Sequence, residues 1–252
     1  MMLEHISFDS EGFTLRGALY IPIHPQDSPK PAVCVSHGLP FTPKSVEEKG
    51  YAALARRFCS EGFLTLIFNY RGTVGSEGEF SLWNWVRDLF SAIAYLYSRK
   101  EVDRGRLVVV GFSLGAAVSA YCSAKDDRIR GVVLCSCPSG LTSLSLKSVD
   151  RFIKHAKKFK TLRGIDKPGF TDQWIRDFQE ISPIKWVDKI SPRPLLIIHG
   201  LGDRVIPISN AYDLYKRAKE PKHLVTLRGD HHLRENRKAV SSIIGWLKER
   251  FH

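Results

Sequence analysis

Near the middle of the chain a β-branched run, Leu107-Val108-Val109-Val110, leads into Gly111-Phe112-Ser113-Leu114-Gly115. A stretch of small helix-forming residues, Ala116-Ala117-Val118-Ser119-Ala120, follows at once. Strand, sharp turn and helix are thus compressed into a few residues. Glycines on either side of Ser113 allow strand and helix to pack closely without a Cβ clash. The turn puts Ser113 in a strained backbone conformation and lifts its hydroxyl clear of the sheet. The helix starts just beyond it, so unpaired N–H groups and the positive dipole end face that hydroxyl. Few folds provide this junction, and those that do are built from alternating strands and helices.

The rest of the chain alternates accordingly. Leu3–Asp9 and Phe13–Ile21 read as a hairpin around Glu11-Gly12, followed by a proline-rich loop from Pro22 to Pro31. Strands are predicted at 32–36, 63–69, 106–112, 131–136, 194–199 and 223–227. Helices are predicted at 46–60, 82–98, 114–124, 209–218 and 234–251. The interior strands are continuously apolar, the pattern of a parallel sheet covered on both faces. The fold class is α/β: a mostly parallel central sheet with helices on both faces. The 252 residues, 43% apolar, suffice for a single domain over 1–252.

One stretch breaks the rhythm. From about 138 to 192 no strand pattern appears. Basic residues including Lys147, Arg151, Lys154, Lys157 and Lys158 alternate there with Phe152, Phe159, Phe170, Trp174 and Phe178. A long strandless insertion of this kind reads as a helical cap of two or three helices, walling a pocket at the carboxyl ends of the strands.

Composition excludes several classes. The net charge of +12 is spread along the chain, without a recognised nucleic-acid motif, and reads as a generally basic surface. No apolar run is long enough to insert in a membrane, and the start of the chain shows no secretion signal. A cytoplasmic protein is expected. The five cysteines have no C-x-x-C spacing and read as buried hydrophobes rather than a metal site. No cofactor is implied. A homodimer is left open.

A serine hydroxyl is a weak nucleophile and needs a base, an orienting carboxylate and oxyanion donors. Asp203, in His199-Gly200-Leu201-Gly202-Asp203, follows a buried strand and is the candidate acid. The candidate base is His231 or His232, in the loop between the last strand and the last helix. The amide of Leu114 is one oxyanion donor. The other comes from Ser36-His37-Gly38-Leu39-Pro40; Pro40 has no N–H, which leaves Leu39. His37 reads as a brace for this loop. Arg71, in Asn69-Tyr70-Arg71-Gly72, reads as a ligand of backbone carbonyls at the rim.

From Ser36-His37-Gly38 to Asp230-His231 these residues resemble the α/β-hydrolase superfamily. Asn69-Tyr70-Arg71-Gly72…Gly75-Ser76-Glu77-Gly78, with Gly111-Phe112-Ser113-Leu114-Gly115, is similar to small prokaryotic serine esterases and to the serine aminopeptidase-like branch. His199-Gly200…Asp203…Val205…Pro207 is similar to the family's acid loop. Family members often end in Gly-Ala-Asp-His-x-Leu, and Arg228-Gly229-Asp230-His231-His232-Leu233 stands in that place here. The resemblance therefore implies His231 as the base. It also implies a Ser113–Asp203–His231 serine hydrolase that cleaves carboxylic esters of small or medium acyl chains through an acyl-enzyme. The alternatives are an aminopeptidase-like serine peptidase and a non-catalytic scaffold on a hydrolase fold.

Overall fold

Strands that are apolar on both faces must be covered on both faces, and in the computed structural model of the protein they are. It describes residues 1–23, 29–141 and 146–252. The centre of the loop predicted over 22–31, His24 included, lies outside the described residues. So does part of the insertion, and the side chain of Lys147 with it.

The strands are β1 (Met2–Ser10), β2 (Phe13–Ile21), β3 (Lys30–Ser36), β4 (Leu64–Phe68), β5 (Val102–Phe112), β6 (Gly131–Cys135), β7 (Leu195–Gly200) and β8 (Lys222–Leu227). They form one sheet in the order β1-β2-β4-β3-β5-β6-β7-β8. The β1–β2 hairpin joins β4 antiparallel, and every pairing from β4 across to β8 is parallel. The chain lays β4 on one side of β3 and β5 on the other. That reversal opens a crevice at the carboxyl ends of β3 and β5. Ser36 and Phe112 end these strands, so the segments beginning at His37 and Ser113 both emerge into it.

Alternate residues of each strand face opposite layers. Val108 and Val110 of β5 pack with Phe58 of α1 (Ala52–Ser60) and Ile243 of α7 (Arg237–Phe251). Leu107 and Val109 face the other layer, with Leu89 of α2 (Leu82–Ser98), Val118 of α3 (Leu114–Lys125) and Leu214 of α6 (Ser209–Arg217).

The segment between β6 and β7 is helical and, among the described residues, contains no strand. Its described residues include α4 (Leu146–Phe159), α5 (Phe170–Ile181) and short 3-10 turns at Pro183–Lys185 and Val187–Lys189. Val149, Ile153 and Ala156 of α4 and Trp174, Phe178 and Ile181 of α5 are buried.

Most predicted boundaries shift by a residue or two, and three have a local reason. β5 begins at Val102, because Lys30 pairs with Val102 ahead of a bulge that the apolar pattern does not show. The helix predicted from residue 46 opens with a π-helical turn over Glu47–Tyr51. α7 begins at Arg237 rather than Arg234. Asn236 stops it there, its side chain accepting from the N–H groups of Lys238 and Ala239. Asn236 is thus the cap of the closing helix.

Candidate active site

Ser113 joins β5 to α3 with φ 53° and ψ −123°. A positive φ strains a residue that carries a Cβ, and the surroundings hold it there. The Ser113 N–H donates to Cys135 O at 2.9 Å, across to β6. Its carbonyl accepts from the Ala116 N–H at 3.0 Å, inside the first turn of α3.

The flanking glycines serve two different contacts. A Cβ on Gly111 would lie 2.6 Å from Ala116 Cα, so this glycine allows β5 and α3 to pack. A Cβ on Gly115 would be driven into the carbonyl oxygens of Ser36 and His37. Gly115 therefore seats α3 against the loop after β3, a contact that strand–helix packing alone does not predict. Gly115→Ala is expected to destabilise the protein by about 1–3 kcal/mol. The measurement is a lower urea midpoint at unchanged slope.

His231 reaches Ser113 from the loop between β8 and α7. Its Nε2 lies 3.0 Å from Ser113 Oγ and its Nδ1 lies 2.8 Å from Asp203 Oδ2. With the proton on Nδ1, the ring donates to Asp203 and leaves Nε2 to accept the serine proton. Asp203 has a fully buried side chain. Its other oxygen, Oδ1, accepts from the N–H groups of Val205 and Ile206, each at 2.9 Å. Burial pushes the Asp203 carboxyl up, but the bond to His231, the charge of that ring and the Ile206 N–H outweigh it. The group is held below its ordinary value. It therefore stays ionised beside the imidazole.

The three side chains named from the sequence as nucleophile, acid and base are thus brought into one hydrogen-bonded chain. His232 is not part of it. Its side chain is 52% exposed and lies 3.5 Å from Asp230.

The loop after β3 is braced from beneath. His37 is fully buried. Its Nδ1 lies 2.7 Å from Gly38 O, and its Nε2 accepts from the Tyr70 N–H at 3.4 Å. A proton on Nδ1 satisfies both contacts. Tyr51, delivered by the π-helical turn, accepts from the Gly38 N–H at 3.4 Å. Leu39 and Leu114 line the same cavity as Ser113 and His231. Leu114 is the first residue of α3, so its N–H has no partner within the helix.

That cavity has a volume of ≈ 300 Å³. Phe41, Pro138, Val149, Phe152, Trp174, Val205 and Ile206 make it mainly apolar, and Arg151, His155 and Arg204 also reach it. Among the described residues no Asp or Glu lines it. The insertion supplies much of this wall through Arg151, Phe152, His155 and Trp174. A smaller neighbouring space, ≈ 250 Å³, meets Ser113 and His231 from the side of Tyr51, His232 and Arg234. Among the described residues no group of three or more His, Cys, Asp or Glu side chains could hold a metal ion.

Two contacts escaped the sequence reading. His199 is fully buried beside the acid, with Nε2 2.9 Å from Ile206 O and 3.5 Å from Asp203 Oδ2. Burial pushes its pKa down, so it is a neutral support for the 203–206 loop. Its place at the start of His199-Gly200…Asp203 was the available signal. Arg71 does reach one carbonyl, that of Ser10, at 3.4 Å. Its principal partner is instead the buried carboxylate of Asp88, at 2.6 Å. No local pattern marks that pair.

Residues 51–252 match the model of the prolyl oligopeptidase family. The chain belongs to this family. The α/β-hydrolase superfamily and its fold are thereby as the motifs indicated. The prolyl oligopeptidase family member is similar to the uncharacterized protein YfhR of Escherichia coli (strain K12), 31% identical over 173 residues. That match covers 68% of this chain and 54% of YfhR, so the chain spans about half the length of such relatives. The uncharacterized peptidase YtmA of Bacillus subtilis (strain 168) is 25% identical over 97% of this chain and 93% of its own length. Among solved structures, the α/β hydrolase GrgF of Penicillium sp. sh18 superposes with a TM-score of 0.79 at 17% identity, covering 100% of this chain and 99% of that one. A Pyrococcus furiosus esterase superposes with a TM-score of 0.74 at 20% identity, over 100% and 92% of the two chains. At these identities the likeness is one of fold.

Proposed function

We propose that this member of the prolyl oligopeptidase family is a serine hydrolase acting on carboxylic esters with small or medium acyl chains. Ser113 attacks the ester carbonyl as His231 Nε2 takes its proton. Asp203 holds the imidazole in the right tautomer and stabilises its charged form. The Leu39 and Leu114 amides receive the oxyanion. His231 then returns the proton to the departing alcohol, and water releases the acyl group from Ser113 by the reverse sequence.

The observation that carries the ester reading is the cavity beside Ser113. It is mainly apolar, suited to an acyl chain, and among the described residues no carboxylate lines it to hold the amino group of a peptide. The family match and the likeness to YtmA favour a second reading, a serine peptidase. A panel of p-nitrophenyl esters against aminoacyl p-nitroanilides separates the two. Ester turnover at least about 10²-fold above anilide turnover is expected, a gap of roughly 2.7 kcal/mol in barrier. Anilide turnover without ester turnover would install the peptidase instead. The five cysteines are free and buried, which suits a reducing cytoplasm. Among the described residues no helix is long and apolar enough to cross a membrane.

A further inference from the structure

Two guanidinium groups reach the apolar cavity from separate elements. Arg151 comes from α4, and Arg204 follows directly on Asp203. Both are exposed, and among the described residues neither is paired with a carboxylate. Some other arginines of the chain are engaged with acidic groups. Arg71, Arg99, Arg128 and Arg217 each hold an acidic side chain.

A cavity lined by two such cations and, among the described residues, by no acidic side chain presents a positive field to a group that enters it. A guanidinium matches a carboxylate with two parallel N–H···O bonds, and low-dielectric walls strengthen the attraction. Leu114, Phe152, Val205 and Ile206 line the same space. They suit a short run of methylenes, which leaves the charged end of a bound chain to the arginines.

We infer that the preferred acyl group is a dicarboxylic acid, esterified at one end and held at its free carboxylate by Arg151 and Arg204. This rests on the ester-hydrolase reading and assigns its substrate class.

The test compares p-nitrophenyl hydrogen adipate with p-nitrophenyl heptanoate, which differ mainly in the terminal charge. Wild-type kcat/KM is expected to be at least about tenfold higher for the half-ester, the scale of one charge-assisted hydrogen bond. Arg151→Gln and Arg204→Gln should each cut the half-ester to heptanoate ratio by about tenfold, and the double variant should cut it further. Raising the salt to roughly 0.5 M should shrink the preference as well. A ratio near one in the wild type, or a ratio that neither substitution moves, overturns the assignment. So does a preference for a hexanoate ester whose carboxylate lies on the alcohol instead. Heptanoate turnover without a half-ester preference defeats this inference alone. Turnover of neither ester, with no fluorophosphonate labelling of Ser113, defeats the ester reading and this inference together.

Discussion

Ser113→Ala will lose p-nitrophenyl ester turnover by about 10⁴-fold or more, and His231→Ala by a similar factor. The two losses are comparable because the residues act as one unit. Without the base, the hydroxyl keeps its proton at the moment of attack; without the hydroxyl, the base has nothing to activate. His232→Ala will change turnover by less than about tenfold. Its ring is largely exposed, and among the described residues its one ionic neighbour is Asp230, at 3.5 Å. Both histidines sit in the same loop. Successive residues project in different directions, however, and only His231 meets Ser113 and Asp203 together, at 3.0 and 2.8 Å. A fluorophosphonate will label the wild type and not the Ser113→Ala variant. Thermal unfolding of both proteins checks that the fold survives. Turnover that persists in Ser113→Ala, or a loss confined to His232→Ala, would contradict this account.

Asp88→Ala should cost about 3–5 kcal/mol of stability, the typical result of stripping one partner from a buried ion pair. Asp88 is fully buried and the Arg71 side chain is 3% exposed. The carboxylate accepts from Arg71 Nε at 2.6 Å, from the Arg71 N–H at 2.8 Å and from Ser10 Oγ at 2.9 Å. Removing it leaves a guanidinium in the interior without its principal counter-charge. Burial pushes the Asp88 carboxyl up in spite of Arg71, so ionising the pair is itself expensive. The double variant Asp88→Leu with Arg71→Met should therefore lose less than the single one.

The damage should also reach the site. Trp85 Nε1 donates to Arg71 O at 3.1 Å, and Tyr70 stacks on Trp85 with centroids 4.3 Å apart. The Tyr70 hydroxyl meets Ser36 Oγ at 2.6 Å, at the end of β3 and beneath the loop that carries Leu39. Urea unfolding measures the loss. A change below about 1 kcal/mol would show that water or a rearranged neighbour satisfies Arg71.

The alternation of strands and helices, the turn at Ser113 and the place of Asp203 after β7 are legible in the amino-acid sequence. Each is signalled by a residue pattern that lies within about a dozen positions. An apolar run buried on both faces has to be an interior strand, and a serine between two glycines at its end has to turn sharply into the next helix. Boundaries were less legible where a single side chain decided them, as Asn236 does for α7.

Tertiary structure alone decided what lies between distant segments. It brings His231 rather than His232 to Ser113, hides His199 behind Asp203, and pairs Arg71 with Asp88. It also selects which residues of the helical insertion, already expected to wall a pocket, do so: Arg151, Phe152, His155 and Trp174 line the apolar cavity beside Ser113. Local patterning specifies which face of an element is apolar, but not which partner that face will meet. Loop residues have no period at all. Their directions are set only when hydrogen bonds from several elements close on them at once.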